Sequence, residues 1–141
     1  MFVVSGREVP TNGALIERFA MRTDDIHYTL QFDVSDGKMP EFESLVQQAC
    51  DTCESDEPGT LVYRWQMNGN GSRVQLHERF SDEAAMLTHL AGPAATEVFP
   101  KLMEIAEVSR FDVHGDPSSA AAETVAAFGG TVFSQWKGFD R

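Results

Sequence analysis

The chain has 141 residues, 42% of them hydrophobic, and a formal charge of −11 from 22 acidic against 11 basic side chains. That length suits one domain around one core. With no Lys/Arg cluster to offset it, the charge repels phosphate backbones and anionic headgroups, so neither nucleic acid nor a membrane surface is expected as a partner. The apolar runs are a few residues long, well short of the roughly 20 that cross a bilayer. Residues 1–10 show no apolar signal region with a cleavage site behind it, so the cytoplasm is the expected compartment.

Residues 1–25 have no clear period and read as an arm. From Ile26 to Val34 the chain alternates, with Ile26, Tyr28, Leu30, Phe32 and Val34 on one side and His27, Thr29, Gln31 and Asp33 on the other, which predicts a half-buried strand. Ser35-Asp36-Gly37 ends it, and Pro40 suits the first turn of a helix, where a missing N–H costs nothing. Phe42, Leu45, Val46, Ala49, Cys50 and Cys53 then recur at helical spacing as one apolar stripe. The two cysteines are spaced as in redox pairs and zinc half-sites. They continue a helix face instead of opening a helix after a strand, so they are expected to be small, reduced core residues, and no metal is expected.

Glu57-Pro58-Gly59 is a turn. The strand Leu61 to Met67 places Leu61, Tyr63, Trp65 and Met67 on one face, and Asn68-Gly69-Asn70-Gly71 marks a hairpin. In the returning strand, Arg73 to Phe80, Glu78 shares the core side with Val74, Leu76 and Phe80. Ser81 is the expected N-cap of a short helix to about Leu90, with Asp82 and Glu83 at its positive end. Gly92-Pro93 interrupts, a further helical stretch from Ala94 to Ile105 turns Val98, Leu102 and Ile105 inward, and Val108 to His114 reads as a fourth strand.

The order β-α-β-β-α-β predicts an α+β, ferredoxin-like fold, an antiparallel sheet with helices on one face. Beyond it, residues 118–128 read as a peripheral helix with few large side chains, and 131–136 either as a short edge strand or as a segment that packs its aromatics on a neighbour. The expected division is an arm over 1–25, the main unit over 26–115 and an extension over 116–141.

The stretch EPGTLVYRW at 57–65, the hairpin, and HERFSDEAAMLTHL at 77–90 together resemble the antibiotic biosynthesis monooxygenase family: a Glu-Pro-Gly turn, a Glu-Arg strand end and a helix carrying Ala and His. The resemblance covers roughly 26–114 and departs in having Phe80 where the family prefers Trp. It implies a dimeric α+β barrel with a pocket between sheet and helices. It also implies oxidation of polyphenols or quinols by O₂ without metal or flavin, or haem degradation, as in some members; a dimeric binding module without turnover is the alternative.

Glu78 on a core-facing strand side needs a partner. His89 shares a helix face with Ala85 and Met86, and the short connection through Ser81 brings it toward Glu78, so the two are the candidate catalytic pair. Tyr63, Trp65, Phe80 and Phe99 are the candidate contacts for a flat, small, apolar or aromatic ligand. No cofactor is expected. The mixed outer face of the hairpin, with Val62, Arg64, Gln66, Gln75 and His77, calls for a second copy of the chain as partner. Light scattering at micromolar concentration should therefore return about twice the 15.6 kDa chain mass; the chain mass itself would contradict this reading.

Overall fold

The computed structural model describes residues 25–141. The arm expected over residues 1–25 lies almost wholly outside the described residues. Strand β1 (Ile26–Val34) leads into α1 (Met39–Asp56), then come β2 (Thr60–Met67), β3 (Arg73–Phe80) and α2 (Glu83–Ala91). A single π-helical turn (Ala94–Val98) runs into α3 (Phe99–Ile105), followed by β4 (Ala106–His114), α4 (Ser119–Ala127) and β5 (Thr131–Phe133). The strands lie in the order β2-β3-β1-β4-β5, antiparallel except for the β4–β5 pair. The first four strands and their helices form the ferredoxin-like α+β arrangement read from the sequence. Among the described residues no helix is long and apolar enough to cross a membrane.

The alternation of β1 and β3 holds: Ile26, Tyr28, Leu30 and Phe32 are buried, and so are Val74, Leu76, Glu78 and Phe80 opposite them. In β2 the alternation breaks at its start. Thr60 pairs with Phe80 and Val62 with Arg79, so Leu61 is the extra residue of a bulge and is 51% exposed. The bulge turns Thr60 toward the helices, where its hydroxyl donates to Glu57 Oε1. Met67, at the far end of this edge strand, is exposed as well.

The N-cap of α2 is Asp82, one residue after the expected Ser81: its carboxylate accepts from the Ala85 amide at 2.8 Å. Gly59 allows α2 to lie against the turn between α1 and β2. A Cβ at that position would stand 2.5 Å from the Cβ of Ala85. The C-terminal segment is less peripheral than its small side chains suggested. Ala121 and Val125 of α4 are buried in the core, and the Glu83 carboxylate receives hydrogen bonds from the Ser118 amide and hydroxyl. Small residues are what permit this approach, since Gly130 leaves no room for a Cβ beside Val125.

Candidate functional site

Tyrosine and cysteine aside, the buried polar side chains among the described residues are three: Glu57, Glu78 and His89, exposed by 6, 3 and 5%. They form one cluster. Glu57 caps the C-terminal end of α1, Glu78 is in the middle of β3, and His89 is in the last turn of α2. His89 Nδ1 lies 2.7 Å from Glu57 Oε1, and Nε2 lies 2.9 Å from Glu78 Oε1. The first contact is a well-formed hydrogen bond. The second is close but poorly aligned, so Glu78 Oε1 is buried without a donor in hydrogen-bond geometry. Thr60 donates to Glu57 Oε1, and the Cys53 thiol donates to Glu57 Oε2 at 3.6 Å.

Burial alone would lower the pKa of His89, but the charge of Glu78 and the close contacts of the ring with Cys53, Glu57 and Glu78 override it and push the value up to about 12. The ring is therefore a cation at neutral pH. For Glu57, burial pulls the other way, yet the hydrogen bond and charge of His89 hold its carboxyl below the usual value of 4.5. Burial raises Cys53, so the thiol stays protonated despite the nearby imidazole. Among the described residues, Cys53, Glu57 and His89 are the one group of side chains whose donor atoms would suit a metal ion, lying within 4.8 Å of one another.

The sheet register sets Tyr63, Glu78 and Tyr28 side by side on three neighbouring strands, under His89. All four line a cavity of about 40 Å³ whose other walls are mostly apolar side chains, among them Leu30, Leu76, Phe99, Phe111 and Phe128. That volume holds about three or four waters, at roughly 10–15 Å³ each. Burial, then the charge of Glu78, raises both tyrosine pKa values, so both phenols remain protonated. The Tyr28 hydroxyl has no hydrogen-bond partner. The cavity wall thus carries an unaligned acceptor on Glu78 beside an unpartnered donor on Tyr28.

The expected pair Glu78 and His89 does meet, at the helix–sheet boundary. Of the four aromatic candidates, Tyr63 and Phe99 line the cavity. Trp65 and Phe80 do not: Trp65 packs on Phe32, Phe42 and Tyr63, and Phe80 stands behind the site against Tyr28 and His89. Sequence reading passed over Tyr28, which the β1 alternation already placed on the core side. It also passed over Glu57, whose signal was its place in the Glu-Pro-Gly turn.

The family described as antibiotic biosynthesis monooxygenase matches residues 26–101, more than half of the chain and all three members of the cluster. The chain belongs to that family. Among solved structures, MupZ from Pseudomonas fluorescens is similar at 23% identity and a TM-score of 0.72, covering 83% of this chain and 94% of its own. A substituted form of SnoaB, a cofactor-independent oxygenase from Streptomyces nogalater, is similar at 16% identity and a TM-score of 0.58, covering 68% and 96%. At these identities the likeness speaks for the fold. No curated protein matches the sequence. Two residues beyond the matched segment, Phe111 of β4 and Phe128 just after α4, also line the cavity.

The charges make stability depend on pH in two directions. Glu57 contributes fully above 4.5 and its contribution is lost as pH falls through its depressed native value. His89 contributes fully below 6.5 and its contribution is lost as pH rises toward about 12. Stability from the cluster is therefore greatest between 4.5 and 6.5. Replacing His89 by alanine leaves two buried carboxylates without a cation and should cost about 3–5 kcal/mol at neutral pH. Urea midpoints should show this penalty shrinking on acidification, as protonation relieves the stranded carboxylates; an equal penalty at neutral and acid pH would contradict the charge assignment.

Proposed function

We propose that the cavity binds a small hydroxylated aromatic molecule, a phenol or quinol, and that the chain is a monooxygenase that uses O₂ without a bound cofactor. The observation that carries this reading is the pairing of an acceptor lacking an aligned donor, on Glu78, with an unpartnered donor, on Tyr28, in an otherwise apolar enclosure. A phenolic ligand satisfies both, donating its O–H to Glu78 and accepting from Tyr28. The roles of the candidate pair then divide. His89, already protonated between two carboxylates, acts as a positioning residue, and Glu78 takes the substrate proton.

The electrons come from the substrate. Loss of the phenolic proton to Glu78 gives a phenolate, which passes one electron to O₂; the resulting radical and superoxide combine at a ring carbon bearing hydrogen. Breakage of the O–O bond with loss of that hydrogen leaves a carbonyl on the ring and releases the second oxygen atom as water. The Tyr28 hydroxyl holds the substrate oxygen throughout, and the apolar walls keep bulk water from the intermediate. A ligand of this size needs more than 40 Å³, so Phe128, half-exposed at the cavity edge, is the side chain that would move to admit it.

Pairing with a second copy belongs to the same proposal. The outer sheet face carries His27, Thr29, Val62, Arg64, His77 and His114, a mixed surface opposite the helix-covered side. The small volume favours the second reading, a dimeric binding module without turnover. Oxygen uptake with a panel of phenols and hydroquinones separates the two. Glu78→Gln should lower the rate by about 10²–10⁴-fold, the range of general-base catalysis, while leaving the secondary structure intact. Uptake that persists in Glu78→Gln would contradict the assignment, and ligand binding without uptake in the unsubstituted chain would favour the binding module.

A further inference from the structure

We propose that Cys53, Glu57 and His89 form a binding site for one divalent cation of the zinc class, with Glu78 orienting the imidazole from its far side. The site lies across the imidazole from the cavity, and it neither requires nor excludes the oxygenase reading.

Cys53 and Glu57 are four residues apart at the end of α1, so they share a helix face, and His89 approaches that face from α2. Their donor atoms are soft, borderline and hard, the mixture that zinc accepts in one coordination shell. Sγ of Cys53 is 3.6 Å from Glu57 Oε2 and 3.8 Å from His89 Nδ1. In a tetrahedral site with zinc–ligand distances of about 2.0–2.3 Å, neighbouring donors are separated by roughly 3.3–3.6 Å. The two sulfur edges are therefore already near their final length. The imidazole Nδ1 meets the other oxygen of the same carboxyl, Glu57 Oε1, at 2.7 Å, and with one donor atom taken from each residue all three lie within 4.8 Å of one another.

A further carboxylate also stands beside the ring, in ion-pair contact with Nε2 although not aligned as a hydrogen bond. A metal-bound histidine nearly always offers its other ring nitrogen to a carboxylate or carbonyl, and here Nε2 faces Glu78 at 2.9 Å. Charge argues in the same direction. Two carboxylates surround one imidazolium in a dry interior, and a dication that displaces both the Nδ1 proton and the Cys53 thiol proton leaves the net charge of the cluster unchanged, so the exchange buries no additional charge. Access comes from the surface: a depression lined by Cys50, Cys53, Glu54, Thr60, Leu61 and Tyr63 reaches the Cys53 side of the cluster.

The test uses the full chain, freed of metal by a chelator that is then removed, and titrated with cobalt(II) chloride. Saturation at one equivalent is expected, with the strong visible bands of a tetrahedral centre and a near-ultraviolet band from thiolate-to-cobalt charge transfer. Cys53→Ser should abolish the charge-transfer band and Cys50→Ser should leave it. Glu78→Gln should weaken binding by about 10–100-fold, as loss of an outer-shell partner does. The proposal is overturned if the unsubstituted chain gives no saturable band at one equivalent, if the band survives Cys53→Ser, or if Cys50→Ser removes it. Should Cys53→Ser not fold, the unsubstituted chain and Cys50→Ser decide the matter between them.

Discussion

A histidine ring held between two carboxylates in a dry interior leaves little freedom to the segments that bear them. Either carboxylate buried alone would be costly, and the imidazolium is what makes both tolerable. The end of α1, the middle of β3 and the last turn of α2 must therefore meet at one point. Several otherwise unrelated features serve that meeting. Gly59 removes the side chain that would hold α2 away. The bulge at Leu61 brings Thr60 round to Glu57, and Asp82 starts α2 about two turns before His89.

The same arrangement creates the cavity. Because His89 spends its two nitrogens on Glu57 and Glu78, it cannot also serve as a free base, and Glu78 is the ionisable group with an oxygen lacking an aligned donor. The register then adds a phenol on either side, Tyr28 and Tyr63, both kept protonated by burial and by the Glu78 charge. A row of donor, acceptor and donor along one wall, with apolar residues elsewhere, defines the shape of a ligand more sharply than it defines a reaction. The C-terminal segment completes the enclosure through Phe128.

Much of this was legible in the sequence because it follows from local periodicity. The period of two in β1 and β3 sets which side chains face inward, and that placed Glu78 in the core beside Leu76 and Phe80. Helical spacing in α2 gave His89 its direction. Glu57 escaped because a turn residue has no periodic face, and its partner is 32 positions away. Cys53 was read correctly as buried, but periodicity does not reveal that a buried thiol touches an ion pair. The misplacement of Trp65 and Phe80 has a similar origin: alternation says that a ring points to the core, not whether it reaches the cavity or packs behind it. The small residues of the C-terminal helix predict weak anchoring, whereas their smallness is what lets α4 come close.

The central claim is that His89 is a cation locked between Glu57 and Glu78. Nitrogen-15 chemical shifts of its imidazole, followed against pH in metal-free protein, test this most directly. The account predicts that both ring nitrogens stay protonated well above the ordinary histidine value of 6.5, releasing a proton only as pH approaches about 12 or the chain unfolds. A ring that titrates near 6.5 while the protein remains folded would contradict it.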